Sequence, residues 1–290
     1  MISIVICSRK KLISKKLEQN IGETIGCDFE MIVIDNSENQ YSIFQAYNEG
    51  LRKSQFSIAC FIHEDILFHT YNWSDVIFKT FNDSGIKLLG VAGSRIKSEV
   101  PSGWWEQPKE SLVINIIQHR SDGNIEHLNK GFKAEQNLEK VSVLDGVFLV
   151  LKKDIEVRFN EKLSGFHNYD LSICIDLLKA GHQIGVTRKI LIEHFSNGRI
   201  DNSWVNSSHE FHEEYKKSLP VSINNQDLIP KQKIIQLQQF IVHCKNAGNV
   251  RLALHYWFKL LKINPFSSKN IRYVAYFLKF TGNKISNKWN

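Results

Sequence analysis

The chain has 290 residues, 42% of them hydrophobic; that supports one large core with a small addition, and no apolar run approaches the roughly 20 residues a membrane-spanning helix needs. Charge is unevenly placed: residues 231–290 hold 11 Lys and Arg and no Asp or Glu, leaving 26 of the 37 basic residues against all 30 acidic ones in residues 1–230. A mildly acidic body with a strongly basic tail points to an anionic partner for the tail, nucleic acid or a membrane surface.

The opening MISIVICSRKK places its apolar run before its basic cluster, the reverse of a secretory signal. It reads as a strand that starts at once, in a chain expected in the cytoplasm. The five cysteines, Cys7, Cys27, Cys60, Cys174 and Cys244, are odd in number and scattered, with no CxxC pair. Reduced thiols are the expectation, without disulfides or a zinc site.

Three apolar runs, ISIVICS (2–8), FEMIVID (29–35) and SIACFIH (57–63), read as parallel strands covered on both faces. The segments between them have helical spacing and crossover length, giving a βαβαβ start. A fourth unit follows, with helix NWSDVIFKTFNDSG and strand IKLLGVAG ending near Gly93. Residues 95–111, with two prolines and the pair Trp104-Trp105, read as a long loop. SLVINIIQH, SDGNIEHL and EKVSVLDGVFLVLKK look like sheet strands, with a turn at Asp122-Gly123. A helix is expected from Tyr169 to Ala180, stopped by Gly181, and KILIEHFSNG supplies a last strand. The rest reads as helices over 205–217, 231–246, 250–263 and 268–280, with PVSINNQDLIP (220–230) as a linker.

In an open α/β sheet, ligands bind beyond the carboxyl ends of the strands. The first strand ends in Ser8-Arg9, the second in Asp35-Asn36-Ser37, the third in His63-Glu64-Asp65. Alternation puts His63 and Asp65 on one face and Glu64 on the other, with Asp35 and Asp65 lining one crevice. Facing carboxylates repel unless compensated; a divalent ion bridging Asp65 to a diphosphate does that, and a plain strand-end turn is the alternative. Neither GxGxxG nor GxxxxGK[ST] follows a strand, which argues against a Rossmann dehydrogenase and a P-loop enzyme.

The ordered series SIVICSRK, MIVIDNS, AYNEGLRKSQFSIACFIHEDILF, VLDGVFLVLKK, GFHNYDLSICIDLLKAGHQIGV and ILIEHFSNG resembles the family 2-type nucleotide-sugar glycosyltransferases with the GT-A fold. The likeness is to a bacterial branch whose DxD-like element reads HED, and it spans about residues 1–200. It implies an α/β fold: a GT-A-type, Rossmann-like mixed sheet with helices on both faces, followed by a small α-helical region. By the same resemblance, Asp35 contacts the base or ribose, Ser8 and Asn48 help frame the nucleotide, and Asp65 is the metal ligand. His63 stands in place of the first Asp of DxD, shifting the ribose contact toward Glu64 or backbone. Asp145-Gly146 lies beside the donor sugar, Asp170 is the catalytic base, and His194 completes the shell of a Mn²⁺ or Mg²⁺ cofactor.

Each position has a plainer reading as well. Asp170 could be the helix N-cap, Asp145-Gly146 a strand kink and His194 a satisfied surface histidine. Trp104 and Trp105 either pack in the core or stack on a sugar or acceptor, and His167 either lines the acceptor side or sits in a loop. The implied reaction is metal-dependent transfer with inversion to a hydroxyl of a glycan or lipid-linked acceptor, in bacterial surface glycan synthesis. The alternative is an inactive glycosyltransferase-like module that works through its tail.

Residues 1–219 are thus expected to form the catalytic body, 220–230 a linker and 231–290 a basic helical region. In VRLALHYWFKLLKI, Arg251, His255, Lys259 and Lys262 form one helical stripe. NAGNVRLALHYWFKLLKINPF also looks like the second half of a tetratricopeptide unit, with Ala253 and Pro265 in the small-residue and terminal-proline places. A single helical pair cannot bury its own face, so docking on the body or on another copy is expected. The stripe is either a solvated face or a contact for an anionic membrane, peripheral at its inner side. Nucleic acid is not expected, because no stacking platform is visible.

Overall fold

The computed structural model describes residues 1–223 and 230–286. Strand β1 (Ile2–Ser8) is followed by α1 (Lys15–Thr24), β2 (Phe29–Asp35), α2 (Ile43–Lys53) and β3 (Ile58–Ile62). The helices start where serine supplies the missing acceptor. Ser14 Oγ takes the Leu17 N–H, and Ser42 with Gln45 closes a reciprocal capping box. β1 runs parallel to both β2 and β3, so the two helices are the crossovers that parallel pairing requires. β1 and β3 are buried on both faces, as their unbroken apolar runs predict. β2 is only half-buried, because it is the edge strand of its sheet.

Next come β4 (Ile66–Phe68), α3 (Trp73–Asp83), β5 (Ile86–Gly90), β6 (Ala92–Ser94) and β7 (Ile96–Lys97). The segment expected as one long loop carries β7 and two 3-10 turns, Trp104–Glu106 and Lys109–Ser111. Then follow β8 (Leu112–His119), β9 (Ile125–Lys130), β10 (Leu138–Val141), β11 (Val143–Leu144) and β12 (Phe148–Lys152). Helix α4 (Tyr169–Lys179), β13 (Gln183–Thr187), β14 (Ile192–His194), α5 (Asn202–Tyr215) and β15 (Val221–Ser222) complete the body. The tail is α6 (Pro230–Asn246), α7 (Val250–Ile263) and α8 (Lys269–Ser286).

Among the described residues the first sheet has the order β10-β13-β5-β12-β3-β1-β2, and the second β11-β6-β8-β14-β4 with β9 on β8. The first sheet is mixed, because β12 enters antiparallel between β3 and β5. The fold is therefore α/β and Rossmann-like, with a second sheet at the carboxyl ends of the central strands. The chain passes from the first sheet to the second four times: after β3, at Val91, at Ser142 and after β13. The run IKLLGVAG, expected as one strand, is thus split between the sheets, and so is EKVSVLDGVFLVLKK.

Most buried apolar side chains form one core around the sheets. A second cluster joins Val100, Trp204 and Val205 of the body to Phe240, Cys244, Tyr256 and Leu260 of the tail. The tail therefore docks on the body. Of the segment read as a linker, Val221–Ser222 pairs antiparallel with β7, while residues 224–229 lie outside the described residues. All five cysteines are free thiols.

Candidate active site

The polar ends of the first three strands fall on one edge, and the seam between the sheets makes a site of them. β3 stops at Ile62, and His63, Glu64 and Asp65 form the bend that leads into β4. The His63 N–H donates to the Val147 carbonyl at 3.2 Å, which lays the Asp145-Gly146-Val147 bend alongside. β14 pairs with β4, and the Phe195 N–H donates to the Asp65 carbonyl, bringing in His194. Three segments far apart in sequence meet here.

His63, Asp65 and His194 present ligand atoms that all lie within 4.8 Å of one another. Asp65 Oδ1 is 3.9 Å from His63 Nδ1 and 3.6 Å from His194 Nε2. Each ring uses its other nitrogen elsewhere: His63 Nε2 is 2.7 Å from the Tyr169 hydroxyl, and His194 Nδ1 is 3.1 Å from Gln118 Oε1. Gln118 cannot offer its nitrogen instead, because Nε2 donates to the carbonyls of His119 and Ser196, both at 2.8 Å. Its oxygen therefore faces His194, whose Nδ1 donates to it, leaving Nε2 on the side of Asp65. Metal-ligating histidines are held in this way, by an acceptor on the far nitrogen. Burial, then His194, lowers the His63 pKa, so its ring is kept neutral. Burial alone would raise Asp65, but the Ser196 hydrogen bond and the two histidines outweigh it, and the carboxyl sits below its ordinary range. Two imidazoles beside an ionised carboxylate are a donor set that fits a divalent cation. His63, expected on the nucleotide, lies within reach of the same point as Asp65 and His194.

Asp170 lies in the first turn of α4. Asn168, in a left-handed conformation with φ 60°, is the N-cap, so Asp170 is not. Its Oδ1 accepts the Leu171 N–H at 2.8 Å and its Oδ2 the Gly146 N–H at 2.9 Å. Burial first, and the charge of Asp145 second, push its carboxyl up to about 7. Asp145 has both oxygens engaged, Oδ2 by the Trp104 indole N–H at 2.9 Å and Oδ1 by the Val147 N–H at 2.8 Å. Gly146 is needed for space: a Cβ there would run into the Tyr169 hydroxyl, the group bonded to His63.

Toward the first two strands, Glu64 turns away from the cluster, accepting from Ser8 Oγ at 2.7 Å and Arg9 Nε at 2.9 Å. Ser8 is the register partner of Asp35. Asp35 stands on the outer strand and accepts the Ser37 N–H, which lowers its pKa. Asn48 is buried, and its amide is spent on the loop after β12: Nδ2 donates to the Phe159 carbonyl and Glu161, and Oδ1 accepts from the Phe159 N–H. It shapes the site as a tether for that loop.

The tryptophan pair divides its roles. Trp104 is buried and holds Asp145; Trp105 is 44% exposed and lies near Trp204, with ring centroids 6.1 Å apart. His167 is half-buried beside Ser203 Oγ at 3.1 Å, and burial lowers its pKa. Sequence reasoning missed Tyr169 and Gln118. Tyr169 had a local signal, an aromatic hydroxyl directly before the candidate base; Gln118 had none, since its role exists only through strand pairing.

A comparison with curated proteins returns no match. Among solved structures, similarity is found to A197 from STIV, at 12% identity over 68% of this chain and 86% of that one, with TM-score 0.37. A second is GalNAc-T7 in complex with UDP, GalNAc and Mn²⁺, at 11% identity over 74% of this chain, with TM-score 0.49; the match spans 49% of that longer chain. A family model described as the glycosyltransferase-like family matches residues 3–223, which takes in both sheets, the cluster and Asp170. The chain belongs to the glycosyltransferase-like family.

Proposed function

We propose that this glycosyltransferase moves a sugar from a nucleotide-sugar donor to a hydroxyl with inversion, using a divalent cation held by His63, Asp65 and His194. The observation that carries the reading is one contact: Tyr169 joins the His–Asp–His cluster to a helix turn whose Asp170 titrates near 7. Two imidazoles with one carboxylate favour Mn²⁺ over Mg²⁺, which prefers an all-oxygen shell. A cation bound there supplies positive charge for the departing nucleoside diphosphate.

The chain's own residues do the remainder. Asp170, half-buried and near neutrality, accepts the proton of the attacking hydroxyl. Asp145 and Gly146 border the donor sugar; Asp35 and Glu64 face the nucleotide, with buried Ser8 and Asn48 behind them. One carboxylate acting as base suits single displacement, because a double displacement needs a second carboxylate as nucleophile. Trp105 and His167 lie on the acceptor side.

The acceptor in this reading is a glycan or lipid-linked glycan of bacterial surface polysaccharide synthesis, met at the cytoplasmic face of a membrane. Arg251, His255, Lys259 and Lys262 of α7 are exposed, which suits an anionic surface. No helix among the described residues is long and apolar enough to cross a membrane. Fully buried Ala253 fits the tetratricopeptide-like reading of α6 and α7. The test is release of nucleotide from a panel of UDP-, GDP- and CMP-sugars with Mn²⁺. Turnover that disappears in Asp65→Ala and Asp170→Asn supports the reading; turnover retained by both variants rejects it.

A further inference from the structure

We infer that tail helix α6 is a positioning element for Asp145, acting through the turn that carries Trp104; the inference rests on Asp145 lying beside the donor sugar. The turn over residues 102–107 stands between α6 and the site, and hydrogen bonds hold it on both sides. On the site side, the Trp104 indole N–H donates to Asp145 Oδ2 at 2.9 Å. On the tail side, Glu106, whose side chain is 9% exposed, spends both oxygens. Oε2 accepts the Gly103 N–H at 2.8 Å and draws the turn closed; Oε1 lies 2.7 Å from His243 Nε2 of α6.

A second helix residue repeats the grip. Gln236 Nε2 donates to the Glu106 carbonyl at 3.2 Å and to Gln107 Oε1 at 3.0 Å. Gln107 in turn donates to Ser102 Oγ and the Gly103 carbonyl. From behind, fully buried Lys97 donates to Ser102 Oγ at 3.1 Å and also meets His212 Nε2 of α5. The Trp204 ring fills the space between the helix and the turn, edge-on to His243 at 5.5 Å. Apart from Gly103 and Trp104 themselves, the partners that fix the turn's shape thus include two α6 side chains. Removing His243 leaves one oxygen of a buried carboxylate unpaired, a costly state that the turn relieves by moving. Trp104 then shifts, and Asp145 loses one of its two donors.

The test follows the indole N–H of Trp104 in the full chain labelled with ¹⁵N-tryptophan, assigned among the six tryptophans by Trp104→Phe. Trp73, bonded to Thr24 Oγ1 deep in the body, is the internal control. His243→Ala is expected to raise solvent exchange at Trp104 by about tenfold, the protection of one hydrogen bond, with Trp73 unchanged. His243→Gln, which can still donate to Glu106, restores protection. Gln236→Ala gives a second reading if His243→Ala disturbs Trp73 as well. Unchanged Trp104 exchange in a folded variant overturns the proposal. Faster exchange with unchanged donor-dependent nucleotide release keeps the α6 coupling and instead removes Asp145 from the donor side.

Discussion

The Tyr169 hydroxyl lies 2.7 Å from His63 Nε2, so the residue directly before Asp170 is bonded to the first histidine of the His–Asp–His cluster. Tyr169 is itself buried among Tyr47, Phe44 and Phe159, in edge-on and tilted ring contacts. Aromatic packing of this kind fixes a ring's orientation as well as its burial. The separation between the candidate base and the cluster is therefore set by a rigid group.

Gly146→Ala tests that rigidity, since the added methyl would occupy the place of the Tyr169 hydroxyl. Overpacking of this sort costs about 1–3 kcal/mol. Denaturant unfolding is expected to show that loss, together with weaker Mn²⁺ binding, because His63 loses its partner. A variant with native stability and native Mn²⁺ affinity would show that Tyr169 is free to move.

Gln118→Leu removes the acceptor that holds His194 Nδ1 and touches none of the candidate ligand atoms. Supporting partners of this kind are worth about 10–100-fold in metal affinity. Titration calorimetry with Mn²⁺ is expected to show a loss in that range, and Asp65→Ala to abolish binding. Equal affinity in wild type and Gln118→Leu would mean that the tautomer of His194 is set by something else.

The pH dependence follows from Asp170. Its ordinary pKa is 3.8, and in the folded chain it is pushed up to about 7. As a base it must be ionised, so turnover is expected to fall as the pH drops below about 7. Stability has the opposite sign. Between those two values the folded state holds the proton more tightly than the unfolded state, so stability rises as the pH falls, and the penalty of the charged form is fully present above pH 7. Asp170→Asn should therefore lose about 10²–10⁴-fold in turnover. It should also melt higher than wild type at alkaline pH, the gap closing toward acid.

Asp145→Asn separates the two causes of that shift. Burial remains, the neighbouring charge goes, and the acidic limb of the pH–rate profile should move to lower pH. A limb that stays in place would leave burial as the whole cause.

Much of this was legible in the residues. Apolar runs located the central strands, and their polar ends marked Ser8, Asp35 and the His63–Asp65 bend on one edge. Asp170 was found ahead of an apolar-periodic helix, although the N-cap proved to be Asn168, whose left-handed backbone has no distinct signature in sequence. The bridging of two sheets was not legible, because IKLLGVAG is equally apolar on either side of Val91. Nor were the pairs Trp104 with Asp145 and Gln118 with His194, which depend on contacts 41 and 76 residues apart in the chain. That the tail docks on the body is legible from a helical pair that cannot bury its own face; that His243 and Gln236 grip the turn over residues 102–107 has no charge pattern to announce it.

The central claim is that His63, Asp65 and His194 together hold one divalent cation. The most direct measurement is anomalous diffraction at the manganese edge from crystals soaked in Mn²⁺ and a nucleoside diphosphate. A single peak in contact with His63 Nδ1, Asp65 Oδ1 and His194 Nε2 is predicted. A fully occupied manganese bound elsewhere on the diphosphate, with these three side chains uncoordinated, would contradict it.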